Sequence, residues 1–307
     1  MVRKNSDRQT VATAPPQGQV RKPDWLKVRF PAGENYRRID RYHRLHGLHS
    51  VCRSAACPNQ GECWNKGTAT FMILGNQCTR HCSFCNVAHA TPGPPDAGEP
   101  LGVATAIAEL ELRHAVITSV TRDDLADGGA AHFAALVGAI RQQAPACRIE
   151  LLIPDLAGNQ KALEIIIEAQ PDIIGHNMET VPRLYSEVRP GADYGRSLKV
   201  LGTAGQRAPQ IMTKSGLMLG MGETEEEVRQ VMADLREQGC RLLTLGQYLA
   251  PTKAHFPVIR YLSPAEFTRY AEHARALGFD HAEAGPLVRS SYHAEEQFHA
   301  REKKDHG

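Results

Sequence analysis

From Thr68 onward, short apolar runs rich in branched residues alternate with longer runs of helical periodicity, and that alternation leaves few folds open to the chain. Parallel strands need a crossover between them, usually a helix laid over the sheet, so repeated β-α units build a parallel sheet. Six strands are expected: Thr70 to Leu74, Ala115 to Val120, Ile149 to Ile153, Ile173 to His176, Lys214 to Leu219 and Leu242 to Tyr248. Helices are expected near Val103 to Leu112, Ala130 to Gln143, Gln160 to Ala169, Val181 to Val188, Tyr194 to Gln206, Glu225 to Gln238 and Pro264 to Leu277, with a last turn at Gly285-Pro286. Six units fall short of the eight of a closed barrel, so an open, partial α/β barrel fits better, with a doubly wound sheet as the alternative. Either fold gathers its ligands at the carboxyl ends of the strands.

The barrel is expected over 68–280. Before it stand a polar arm, 1–22, and an extension, 23–67; a C-terminal segment, 281–307, follows. Lys22 to Pro31 reads as an extended segment anchored by Trp25 and Phe30. At 307 residues the chain can bury a full core. Its 36 basic and 34 acidic residues leave a net charge of +2 without a concentrated field, which points away from nucleic acid and from a membrane surface. No apolar run approaches the ~18 residues of a membrane span. Met1 to Val20 is polar, with Pro15 and Pro16 where a signal core would be apolar, so a soluble, cytoplasmic protein is expected.

Six of the eight cysteines crowd into one stretch: Cys52, Cys57 and Cys63, then Cys78, Cys82 and Cys85. Such crowding in an unsecreted chain argues for metal ligation over disulfides. Cys147 and Cys240 stand alone and read as small buried apolar residues. A four-iron cubane normally takes four cysteines, so the triplet C-x3-C-x2-C leaves one iron open. S-adenosylmethionine can chelate that iron through its amino and carboxylate groups, and one electron then breaks a carbon–sulfur bond to give a 5'-deoxyadenosyl radical. The first triplet also supplies three ligands and implies a second cluster. A structural zinc site is the plainer reading, but zinc sites generally pair cysteines two and two.

The two triplets together say more than either. Cys52-Arg53-Ser54-Ala55-Ala56-Cys57-Pro58-Asn59-Gln60-Gly61-Glu62-Cys63-Trp64, followed by Cys78-x3-Cys82-x2-Cys85, closely resembles the lipoyl synthase family of the radical S-adenosylmethionine superfamily. So does Val288-Arg289-Ser290-Ser291-Tyr292, along with the runs Thr121 to Leu125, His176 to Val181, Lys214 to Met218 and Leu245 to Leu249. The likeness covers Lys22 to Gln297. It implies a partial (β/α)6 TIM-like barrel and the insertion of two sulfur atoms, at carbons six and eight, into a protein-bound octanoyl-lysine. By this resemblance Cys78, Cys82 and Cys85 hold the S-adenosylmethionine [4Fe-4S] cluster, while Cys52, Cys57 and Cys63 hold an auxiliary, sacrificial [4Fe-4S] cluster with Ser291 as its fourth ligand. Read without the family, Ser291 before Tyr292-His293-Ala294 is an ordinary helix N-cap. Implied partners are octanoylated lipoyl carriers (the glycine cleavage H protein or E2 domains of 2-oxoacid dehydrogenases), a low-potential donor such as ferredoxin or flavodoxin, and an iron-sulfur carrier.

Phe84, between the second and third cysteines, could pack near the adenine. Asp123 and Asp124 past the second strand, Asn177 and Glu179 past the fourth, and Gln247 at the end of the sixth can face one mouth and are candidate contacts to S-adenosylmethionine. Their plainer reading is solvated or helix-capping groups, as Asp127 before Gly128-Gly129 would be. Lys214 and Arg289 could neutralise cluster or cofactor charge, or only form salt bridges. Gly220-Met221-Gly222-Glu223-Thr224 lacks the lysine and spacing of a phosphate loop. Two rivals stay open. One is another radical sulfur inserter acting on a small molecule or transfer RNA, although no basic RNA-binding module is present. The other is a zinc-holding structural protein, which iron and sulfide analysis would separate.

Overall fold

The computed structural model describes residues 22–27, 32–54, 57–292 and 294. The arm before Lys22, Phe30, and His293 and Glu295 onward lie outside them. Strand β1 (Thr68–Ile73) leads into a short pair, β2 (Gln77–Cys78) with β3 (Ala88–His89). Six more strands then join β1: β4 (His114–Ser119), β5 (Arg148–Leu152), β6 (Ile173–Gly175), β7 (Met212–Leu219), β8 (Leu242–Gln247) and β9 (His281–Gly285). The sheet order is β1-β4-β5-β6-β7-β8-β9, and every pair is parallel. The strands therefore share one carboxyl end. All but β9 were legible as apolar runs because helices cover the outer face while side chains fill the inner one.

The six-unit open barrel is borne out. The last turn at Gly285-Pro286, however, ends a seventh strand that the expectation lacked. His281-Ala282-Glu283-Ala284-Gly285 is a half-buried edge with no branched residue, so it carries neither the alternation nor the propensity of a strand. Another difference lies at Val181 to Val188, which is a 3-10 turn (Pro182–Leu184) followed by one short helix, α7 (Tyr185–Val188). Trp25 is 45% exposed, and Leu26 beside it is the buried anchor.

Three helices precede the barrel: α1 (Glu34–Leu45), α2 (Val51–Ser54) and α3 (Gln60–Asn65). Among the charged residues of α1, Ile39 and His43 are buried and Tyr36 and Tyr42 pack against the core, an apolar stripe at helical spacing. The His43 ring stacks between Trp64 and Phe71, 5.2 Å from each, and this sandwich fixes the extension to β1. Around the sheet run α4 (Glu99–Glu109), α5 (Ala130–Gln143), α6 (Gln160–Glu168), α8 (Tyr194–Arg207), α9 (Glu225–Glu237) and α10 (Pro264–Ala276). Their starts are written locally. Asn159 and Asp193 cap α6 and α8, and Thr224 with Glu227 and Ser263 with Glu266 form capping boxes on α9 and α10. Asp127 accepts from the backbone of Gly129 and Ala131 at the head of α5, the helix-starting role read for it.

Lys214 is inside the barrel, away from the mouth. Its Nζ is 2.8 Å from Glu150 on β5, whose other oxygen meets His114 of β4 at 3.3 Å, and all three are buried. Burial works to raise the Glu150 pKa, but Lys214 and His114 bring it below the ordinary value. Replacing Lys214 by Met leaves that carboxylate buried without its main partner, an expected loss of about 3–5 kcal/mol. Urea unfolding should show it, with much of the loss recovered in the Lys214→Met/Glu150→Leu double variant.

Candidate active site

Both triplets stand at the carboxyl end of the sheet, on short helices and loops tied to β1. Ser50 Oγ donates to the Thr70 carbonyl of β1 at 2.8 Å and accepts from the Cys52 amide, which pins α2. The Cys57 amide donates to the Cys52 carbonyl (2.9 Å) and the Cys63 amide to that of Asn59 (2.9 Å), so one compact turn presents Cys52, Cys57 and Cys63 together. The second triplet follows β1 on a loop whose amides face the sulfurs. Cys78 Sγ accepts from Arg80 and Thr121 (3.4 and 3.3 Å), and Cys85 Sγ from Val87 (3.5 Å). Such N–H donors favour sulfur in its anionic form.

All eight cysteines are free thiols. Burial pushes Cys82 up to about 11 and Cys63 up to about 12, and it raises Cys85 as well. Cys52 and Cys57 share a proton. Cys52 is pushed up by Cys57 and by burial, and Cys57 is pulled down to about 6 by the Cys52 thiol, the amides of Asn59 and Gln60 and the nearby Arg289 guanidinium. Thiols grouped in threes within reach of one another's charge suit a metal centre, which binds them as thiolates and displaces their protons. Among the described residues no three His, Cys, Asp or Glu side chains crowd closely enough to share one metal ion. A zinc site draws its donors into a single sphere of ~2.3 Å, whereas in a cubane each thiolate takes a different iron and the sulfurs stand farther apart. Free thiols in threes are the donor type that an iron-sulfur cluster takes.

Electrostatics link the triplets. Arg289 is half-buried within electrostatic reach of both Cys57 and Glu179, and Glu179 in turn acts on Cys82 and Cys85. Glu179 has a positive φ of 64° just past β6 and bridges to Leu217 of β7. Burial raises its pKa against the pull of Arg189, Asn177 and Arg289. The Asn177 amide donates to it at 3.0 Å. Arg189 beneath them binds the carbonyls of Asn177 (2.9 Å) and Met178 (3.1 Å) and the Tyr185 hydroxyl (2.8 Å), fixing the loop. Phe84 packs against the apolar cluster around β7 and β8.

The remaining candidates are engaged within the protein. Asp123 closes a bidentate pair with Arg80 (2.6 and 2.9 Å), which also reaches Asp155 at 2.6 Å, so the cysteine loop is clamped to the ends of β4 and β5. Asp124 pairs with Arg122, whose guanidinium also binds the carbonyls of Leu74 and Gly93. Gln247 is completely buried: its amide donates to the carbonyls of Leu219, Tyr248 and Arg260 and accepts from Leu262. It pins the 249–262 segment and has no group left for a ligand. In the glycine turn, Glu223 binds the amides of Gly220 and Met221, the donors a phosphate would need. Arg80 and Arg189 went unread, since a lone arginine in a loop carries no spacing signal.

The C-terminal segment closes over the first triplet. Asn59 donates to the Leu287 carbonyl, and the Tyr292 hydroxyl meets Glu62 at 3.2 Å, one residue before Cys63. Ser291, half-buried, lies between Arg289 and Tyr292 on this segment. Among the described residues no helix is long and apolar enough to cross a membrane.

Residues 72–235 match the model of the radical SAM superfamily. A lipoyl synthase from Methylococcus capsulatus is 56% identical over 283 residues, 92% of this chain and 88% of that protein. Another from Rubrobacter xylanophilus is 55% identical over 281 residues, again 92% of this chain and 88% of the relative. Of solved structures, methylornithine synthase PylB aligns with a TM-score of 0.53 at 14% identity, covering 77% of this chain and 73% of that one. Streptococcus suis SuiB bound to its precursor peptide SuiA aligns with a TM-score of 0.54 at 12% identity, over 78% of this chain and about half, 49%, of that one. These two likenesses show the fold alone.

Proposed function

Because the chain belongs to the lipoyl synthase family of the radical SAM superfamily, we propose that its two thiol triplets divide one reaction between them. That reaction inserts two sulfur atoms, at carbons six and eight, into an octanoyl chain carried on a lipoyl domain. Cys78, Cys82 and Cys85 would hold the [4Fe-4S] cluster that meets S-adenosylmethionine; Cys52, Cys57, Cys63 and Ser291 would hold the auxiliary one. When bound, the first of these groups supplies the electron that cleaves S-adenosylmethionine to a hydrogen-abstracting radical, and the second supplies sulfur.

The observation that carries this reading is Arg289, half-buried and within electrostatic reach of Cys57 of one triplet and of Glu179 beside the other. It brings the serine motif, the first triplet and the cofactor mouth into one space. Asn177 and Glu179 are assigned to the polar groups of S-adenosylmethionine, with Phe84 against its adenine. Asp123 and Asp124 serve the same mouth by holding Arg80 and Arg122. Ser291 is a harder donor than a thiolate, and one weakly held corner suits a cluster that gives up sulfur. The carrier is proposed to be an octanoylated H protein or E2 lipoyl domain. Ferredoxin or flavodoxin would bring electrons, and an iron-sulfur carrier would rebuild the spent cluster.

The test is anaerobic reconstitution, then incubation with an octanoyl-lysine peptide, reductant and S-adenosylmethionine. About eight irons with matching sulfide per chain are expected, the sum of two four-iron clusters. The peptide mass should show two sulfurs gained, with hydrogen unchanged while reductant keeps the product as the dithiol and two hydrogens lost once air oxidises it to the cyclic disulfide. Zinc without sulfide, or modified RNA beside an untouched peptide, would overturn the reading.

A further inference from the structure

Asn86 follows Cys85 directly, and its side-chain amide donates to the Ser54 carbonyl at the end of α2, 2.8 Å away. That helix carries Cys52 and is pinned to β1 through Ser50. One hydrogen bond thus joins the loop of the second triplet to the helix of the first. Its near end is itself held: His255 Nε2 meets the Cys85 carbonyl at 3.2 Å, the Phe256 amide donates to the Ser83 carbonyl at 2.8 Å, and the Ser83 amide donates to that of Val188 at 3.0 Å.

We propose that Asn86 is a positioning residue that sets how far the sulfur-donating site stands from the radical-generating one. The proposal rests on the assignment of the two triplets to two clusters. The Asn86 side chain is exposed and its amide is engaged by Ser54, so its loss leaves the six thiols in place while loosening their register. A carbon radical must meet sulfur before it is quenched. Slackness between the sites therefore appears as wasted cleavage, with more deoxyadenosine formed for each sulfur inserted.

The test uses the full reconstituted chain as wild type, Asn86→Ala and Asn86→Asp. Aspartate keeps the size of the side chain but has no donor, and it turns an anionic oxygen toward the Ser54 carbonyl. Iron and sulfide should equal wild type in both variants. The ratio of deoxyadenosine to lipoyl product should rise about fivefold, the change in population that goes with losing one ordinary hydrogen bond. The magnetic interaction between the two reduced clusters, read by electron paramagnetic resonance, should broaden or weaken in both. An Asn86→Asp chain with wild-type ratio and spectrum would show that the side chain only fills space and would overturn the strut. Lost iron in either variant would overturn it too, by showing that Asn86 is needed to form a site. A wild-type chain holding only about four irons would instead refute the two-cluster reading beneath it.

Discussion

Changing Cys82 to Ala is expected to abolish deoxyadenosine and lipoyl product together, whereas changing Ser291 to Ala leaves cleavage of S-adenosylmethionine running and lowers sulfur insertion sharply. The contrast follows from where the two residues stand. Cys82 lies in the loop that Asp123 and Asp155 clamp through Arg80, with Arg189 and Glu179 within electrostatic reach. Removing its sulfur leaves that site two thiols, too few for a cubane with one open iron. Ser291 lies on the opposite wall, on a segment fastened to α3 by Asn59 and Tyr292. Its loss should lower lipoyl formation by about 10- to 100-fold, the usual range when a metal site loses a supporting group. Product analysis by mass after single turnover reads both quantities at once. Persistent deoxyadenosine in Cys82→Ala would mean the triplets are assigned the wrong way round. Full lipoyl formation in Ser291→Ala would return that serine to a capping role.

The strands and both cysteine triplets could be read from the chain because each depends on local pattern: an unbroken apolar run for a strand buried on both faces, and fixed spacing for ligands on one loop. What could not be read depends on partners distant in sequence. Lys214 looked like a group available to a charged cofactor, yet its partner Glu150 is two strands away in order and becomes its neighbour only when the barrel curls. Gln247 looked like a mouth residue until the 249–262 segment folded back and took every polar atom it has. Arg80 sits inside the cysteine motif, but its clamp needs Asp123 and Asp155 from two later strand ends. Strand β9 fails for another reason: an edge strand packed on a neighbour needs little apolar character, and the pairing with β8 supplies what its sequence lacks.

Gly246 shows how two separate sequence runs form one device, and its replacement by Ala should be among the most damaging single-methyl changes in the chain. The residue lies on β8 opposite Gly285 of β9, and the C-terminal segment comes down directly upon it. A Cβ at this position would lie 2.0 Å from the Val288 carbonyl oxygen, 3.0 Å from its carbonyl carbon and 3.2 Å from Arg289 Nη1. Backbone cannot rotate out of the way as a side-chain tip can, so Val288 and Arg289 must lift, and Ser291 two residues later must lift with them. Displacement by about 1 Å at a reacting site costs on the order of a hundredfold in rate. The same overpacking costs about 1–3 kcal/mol of stability, which thermal unfolding will show as a modest loss in a chain that still folds. Deoxyadenosine formation should fall less than lipoyl formation, because Arg289 reaches the second triplet only through Glu179, whereas the first triplet's helix is fastened directly to Leu287 and Tyr292. Gly285→Ala is the control. There the added Cβ meets only the Val288 Cγ2 tip, at 3.3 Å, and a small rotation relieves it. Equal losses of lipoyl product in the two variants would show that strain at β8 and β9 in general is responsible. A large loss confined to Gly246→Ala ties the end of β8 to the serine motif through the height of one backbone carbonyl.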